Sequence, residues 1–161
     1  LSASKTLVIG IGNEFRQDDA AGLIVAGRLG AEGVPGVEVL SHHGEGTGLM
    51  ALWQGADKVV IVDAVTSGAK PGTIHRIHAN SDAIPPGMTA YSSHAFGLAE
   101  AVRLACDLQS LPAQLWIVGI EGERFAHGQD MSPLVADAIP QAIQEVVDIL
   151  AAQNDILPTS C

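Results

Sequence analysis

Acids and imidazoles recur directly after short apolar runs in this chain, and those side chains bind divalent cations or move protons. Gly10-Ile11-Gly12-Asn13-Glu14 follows one such run and leads to Asp18-Asp19. His42-His43-Gly44-Glu45-Gly46 follows a second, and Asp63 closes Val59-Val60-Ile61-Val62. His94 comes after Ser92-Ser93 and opens another apolar stretch. An ionised carboxylate is costly to bury without a partner. Asp63 therefore either caps a strand end on loop amides or serves as a metal ligand. Asp18 and Asp19 complement the positive end of the helix that follows. Only one residue can be the N-cap, and Asp18 stands in that position. At the start of its own helix, His94 is disfavoured as an imidazolium, which leaves a neutral ring nitrogen for a metal; a satisfied helix-start histidine is the plainer alternative. Two carboxylates and one imidazole suit zinc, nickel or iron better than magnesium or calcium. Without thiolates such a site would be open and exchangeable.

Other candidates are weaker. His42, His43 and Glu45 could add ligands, touch a substrate or simply be solvated in a glycine-rich loop. Glu121 and Glu123 read as rim charges. His75 and His78 lie on an alternating segment and face solvent or pair locally. Cys106 falls on the apolar stripe of a helix and reads as core. Gly10-Ile11-Gly12 suggests a dinucleotide loop, but Phe15 stands where the third glycine is needed. Glu14, Asp18 and Asp19 would also repel a phosphate. A nucleotide-binding protein is thus a minor alternative. No Gly-x-Ser-x-Gly elbow, His-Glu-x-x-His helix or Cys-His pairing is visible.

The elements that must position these residues alternate between strand and helix. Strands are predicted at Lys5–Gly10, Val37–Leu40, Lys58–Val62, Thr73–His78 and Leu115–Gly119. Helices are predicted from Asp19 to Gly33, after Thr47 as N-cap, from His94 to Leu108, and from Ser132-Pro133 onward, with Val135, Ile139, Ile143, Val146 and Leu150 as its buried stripe. Strands alternating with helices imply an α/β fold, a three-layer α/β/α sandwich on a mainly parallel sheet. In such sheets ligands bind beyond the carboxyl ends of the strands, where strand order reverses. The 161 residues suit a single domain, 1–161. Eight basic and eighteen acidic residues give a net charge of −10, which argues against nucleic acid and anionic membrane surfaces. Two cysteines, Cys106 and Cys161, are too few for a disulfide framework or a thiolate zinc site, and their scarcity fits a reducing compartment. No apolar run reaches membrane-spanning length and the first residues lack a signal-peptide pattern. The expectation is a soluble cytoplasmic protein.

Taken together, Val8-Ile9-Gly10-Ile11-Gly12-Asn13 with Asp18-Asp19, Gly46-Thr47, Ile61-Val62-Asp63-Ala64-Val65, and Ser93-His94 with Gly97-Leu98 resemble the hydrogenase maturation protease family, in order and spacing to about Val147. The resemblance implies a hydrolase, an aspartyl-type endopeptidase that trims the carboxy-terminal extension of a nickel-iron hydrogenase large-subunit precursor after nickel insertion. It implies a five-stranded mixed sheet with the Thr73–His78 strand antiparallel. By motif it places metal contacts at Asp19, Asp63 and His94, and catalysis at Asp19 and Asp63. The ion would be nickel presented by the substrate, with zinc or cadmium able to stand in for it in a crystal. A non-enzymatic nickel carrier using the same ligands is the rival reading. Many relatives carry an aspartate just before the Gly-Thr of the second loop, where this chain has Ser41-His42-His43-Gly44-Glu45. Glu45 is the candidate replacement. The His-x-Gly-Glu-Gly form resembles the branch serving cytoplasmic, nicotinamide-linked hydrogenases.

Overall fold

A computed structural model describes residues 3–85, 87–88, 94–153 and 159–161. The elements are β1 (Thr6–Ile11), a 3-10 turn (Gln17–Ala20), α1 (Ala21–Glu32), β2 (Val37–His42), α2 (Gly46–Trp53), β3 (Lys58–Val65), β4 (Ile74–His78), α3 (Leu98–Asp107), β5 (Gln114–Glu121) and α4 (Pro133–Ala151). The five strands form one sheet in the order β2-β1-β3-β5-β4. β2, β1, β3 and β5 run parallel, and β4 alone pairs antiparallel, with β5. The α/β/α sandwich and its single antiparallel edge strand are as expected.

Side chains on a strand alternate between faces. Leu7, Ile9, Val59, Ile61, Leu115 and Ile117 therefore pack under α2 and α3. Val8, Val60, Val62, Val118 and Ile120 pack under α1 and α4. Every residue of β3 is buried, as a central parallel strand requires. α4 opens with Ser132 as N-cap and Pro133 in its first turn, where a missing N–H costs nothing. Its buried stripe holds Val135, Ile139 and Val146 as predicted, plus Ala138, Ala142 and Ile149; Ile143 and Leu150 sit at its margin. α1 lies hard against the sheet because Gly22 has no side chain: a Cβ there would collide with the carbonyls of Val62 and Ile11.

Several boundaries differ from expectation, and the differences fall near the chemistry. β3 continues to Val65, so Asp63 lies inside the strand, opposite Gly119, rather than capping its end. α3 begins at Leu98 with Gly97 as N-cap. His94 therefore precedes the helix, and the helix dipole does not explain its ring; the Ser92-Ser93 step lies outside the described residues. The cap of α2 is Glu45, not Thr47, because its longer side chain reaches back to the amides of Thr47 and Gly48. Cys106 and Cys161 are joined, with Cα atoms 5.6 Å apart, which corrects the reading of Cys106 as plain core and of a chain without cross-links. The carboxy-terminal end is brought there by Ser160, whose amide donates to the Asn80 carbonyl at 2.9 Å. Among the described residues no helix is long and apolar enough to cross a membrane.

Asp18 is not a helix cap either. It is fully buried in the 3-10 turn. One carboxylate oxygen accepts the amides of Glu123 and Arg124 and the Ser132 hydroxyl, each at 2.8 Å. The other accepts the Ser132 amide at 2.7 Å. Burial by itself would raise its pKa; the amides of Arg124, Ser132 and Glu123 and the Ser132 hydroxyl more than offset it and hold the carboxyl below its usual range. Asp18 thus staples the loop after β5, and the start of α4, to the entry of α1. Asp18→Ala should lower the unfolding free energy by about 3–5 kcal/mol near neutral pH, because it strands buried donors. Since the folded pKa is depressed, this stabilisation is complete above the ordinary carboxylate range and is lost as pH falls through the folded value. Urea unfolding at neutral and acid pH should show the gap between wild type and variant closing on the acid side.

Candidate active site

The strand order reverses between β1 and β3, whose connections depart to opposite sides, and a crevice opens at their carboxyl ends. A cavity of about 430 Å³ lies there, and Gly12, Asp19, His43, Asp63 and His94 all line it. Each arrives from a different element. Gly12 follows β1 with φ near 158°, and a Cβ at that position would run into the Asp19 carbonyl. That close approach lets the Asn13 amide reach Asp19 Oδ2 at 3.1 Å and orient the carboxylate. Asp63 shares its sheet face with Ile61 and Val65, and so looks toward the layer that His94 leads into.

Asp63 is only 9% exposed. Burial, and then the nearby Asp19 charge, raise its pKa well above the carboxylate range, against a smaller opposing effect from the Ala64 amide. Burial also raises Asp19, while Arg16 and the Asn13 amide pull it back. The cavity therefore holds two neighbouring carboxyls whose ionisations oppose each other. Ring nitrogens add to it: His43 Nδ1 and His94 Nε2 are 3.1 Å apart. His42 stacks on His43, with ring centroids 4.5 Å apart and planes inclined by 19°. Burial and the neighbouring His43 hold His42 below the usual imidazole range, against the pull of Glu45, and its Nδ1 accepts the Gly44 amide at 2.9 Å. Phe15, 55% exposed, forms an apolar lip beside Glu14, with Leu23, Met88 and Phe125 among the walls.

All three sequence-derived residues, Asp19, Asp63 and His94, thus share one cavity. Among the described residues no three His, Cys, Asp or Glu side chains are clustered tightly enough to hold an ion unaided. The donor types present, carboxyl oxygen and imidazole nitrogen, are those that a borderline divalent cation takes.

Other candidates serve the fold. Glu45 accepts the Thr47 hydroxyl and amide and the Gly48 amide, which push its carboxyl down to about 2. That capping role takes up its oxygens, and Glu45 does not line the cavity. Glu121 is no rim charge: it is 2% exposed and accepts from the Ser67 amide and hydroxyl and the Gly68 amide. It also meets His75 Nε2 at 3.0 Å, so His75 pairs across the strands. Glu123 is exposed, as a rim residue should be. His78 is buried against Trp116, not solvent-facing, and bonds Ser81. Sequence reasoning left His43 undecided; the signal was an adjacent histidine pair at the end of a strand parallel to β1.

A mixed sheet covered on both faces, with paired carboxyls and imidazoles over its central strands, defines a small α/β protein equipped for acid–base or metal-assisted chemistry. The model of the hydrogenase maturation protease family matches residues 31–149, and the chain belongs to that family, a family of endopeptidases. It is 30% identical to the hydrogenase expression/formation protein HupD of Thiocapsa roseopersicina over 155 residues, covering 93% of this chain and 69% of that one. It is 27% identical to the hydrogenase 2 maturation protease of Escherichia coli, covering 91% and 90%. A solution structure of an Escherichia coli endopeptidase superposes with a TM-score of 0.78 at 27% identity, covering 91% of each chain.

Because the folded pKa of Asp63 is raised, its stabilising contribution is complete below the ordinary carboxylate range and is lost as pH rises through the folded value. Asp63→Asn should therefore melt higher than wild type by a few °C at about pH 8, and this advantage should shrink toward about pH 4. Calorimetry across that range checks it.

Proposed function

We propose that this chain removes the carboxy-terminal extension of a nickel-iron hydrogenase large-subunit precursor after nickel insertion, and that it recognises the bound nickel through Asp19, Asp63 and His94. The observation that carries this is the convergence of those three side chains on one cavity at the switch point, in a chain of this protease family. The ion belongs to the substrate: the cavity offers oxygen and nitrogen donors, but no three among the described residues are close enough to hold a free ion tightly, and the substrate's cysteines complete the set.

The two carboxyls divide the labour. In the ion-free cavity Asp63 is the more strongly raised and holds its proton longer; Asp19 is more accessible and ionises first. Asp63 gives up its proton on meeting the ion, and Asp19 takes a proton from water as the water attacks the scissile carbonyl. Collapse of the tetrahedral intermediate returns a proton from Asp19 to the leaving amine. Different ionisation in neighbouring carboxyls suits this split into ligand and base, and it gives the reaction a base without calling on a serine or cysteine nucleophile. The exposed Phe15 and the apolar walls offer room for side chains flanking the cut.

Nickel-loaded precursor incubated with the protein should lose its extension, seen as a mass decrease. Asp19→Asn should slow trimming by about 10²–10⁴-fold, the usual worth of a positioned base, and Asp63→Asn should slow it too by loosening the grip on the ion. Full-rate trimming by Asp19→Asn would remove it from the mechanism. An uncut precursor accompanied by tight binding of free nickel would instead favour a carrier.

A further inference from the structure

We propose that His43 and His94 act as one chelating pair: His43 Nδ1 and His94 Nε2, hydrogen-bonded to each other in the ion-free protein, ligate the same divalent cation. This rests on the reading of the cavity as a cation-recognising site and adds to it a nitrogen donor, His43, and a means of holding it.

The geometry carries it. Imidazole nitrogens bind zinc at about 2.0–2.1 Å. Two such bonds place their nitrogens about 3.3 Å apart at a tetrahedral angle and about 2.9 Å apart at a right angle. His43 Nδ1 and His94 Nε2 are separated by 3.1 Å, between those values. The two rings come from segments 51 residues apart and both line the cavity that holds Asp19 and Asp63. The rings are inclined by 50° to each other, with centroids 5.0 Å apart, so a small rotation of each turns both nitrogens toward a common ion. When a cation replaces that hydrogen, the bridging proton passes to the outer nitrogen of its own ring. Each ring then keeps one N–H, and no proton is gained or lost.

The strand-end loop is built to keep His43 in place. Gly44, at φ near 97°, turns the chain so that its amide donates to His42 Nδ1 at 2.9 Å. His42 is sandwiched between His43 and the first turn of α2, where a Cβ on Gly48 would lie 2.7 Å from His42 Nε2. The Glu45 cap holds that turn, and the Gly46 amide donates to the Phe96 carbonyl at 2.8 Å, tying it to the segment that carries His94. His42 is thus a positioning residue, and His43 and His94 are held from one scaffold.

The test uses the full chain with nickel, zinc or cobalt chloride, measuring affinity by chelator competition and counting imidazoles per metal by X-ray absorption. Wild type should show two imidazoles. His43→Gln and His94→Gln should each weaken nickel binding by about tenfold or more and leave one imidazole, and the double variant should bind more weakly than either and leave none. His42→Gln should weaken binding less and keep both. Nitrogen-15 spectra of the unmodified protein give a check without substitution: zinc should shift His43 Nδ1 and His94 Nε2 together. If His43→Gln binds like wild type while His94→Gln and Asp63→Asn lose the ion, the pair is overturned and the cation site stands without it. If wild type retains none of the three ions, the chelating pair is overturned, while trimming of nickel-loaded precursor decides the recognition reading separately.

Discussion

A carboxyl group that cannot be solvated, set beside a second one that resists its ionisation, is the constraint on which the rest of this structure turns. Asp63 lies within β3, a strand buried along its whole length, at a position an aliphatic residue would fill at no electrostatic cost. The fold tolerates it because the sheet's switch point opens a cavity there, and the same opening admits Asp19 and the histidines. Stability is given up locally for a group whose proton is held at an unusual pKa. That is the usual mark of a site made for chemistry rather than packing.

The surrounding architecture isolates that cost. Two other buried carboxylates, Asp18 and Glu121, lie close by in sequence or in space, and each is saturated with donors. They fasten the loops that flank the cavity: Asp18 joins the entry of α1 to the loop before α4, and Glu121 joins the end of β5 to the turn after β3. The contrast between acids saturated with donors and acids with a single amide donor separates scaffold from site more sharply than exposure does. Asp18 and Asp63 are both buried, yet their pKa values move in opposite directions.

Much of this was legible in the sequence. The apolar run Val59–Val62 announced a central strand, and the Thr-Ile-His-Arg-Ile-His alternation announced an edge strand. The acids and histidines after the strands marked one rim, and the family motifs selected Asp19, Asp63 and His94. What escaped the reading depends on long-range geometry. Nothing local tells that Asp18, next to Asp19, turns inward to amides more than a hundred residues away. The apolar residues after His94 suggested a helix four residues too early, because Gly97 ends the extended approach only at the cap. The link between Cys106 and Cys161 depends on the carboxy-terminal end folding back toward Asn80, and spacing carries no sign of it. The His43–His94 contact likewise joins two loops that only the sheet order brings together.

The claim that two carboxyls share this buried cavity in opposed states is tested most directly by carbon-13 titration of the Asp19 and Asp63 carboxyl resonances in the isolated protein. The account predicts that Asp63 titrates far above its neighbour, and that Asp19→Asn moves the Asp63 midpoint down. An Asp63 midpoint in the ordinary carboxylate range near 4, unmoved by Asp19→Asn, would contradict it.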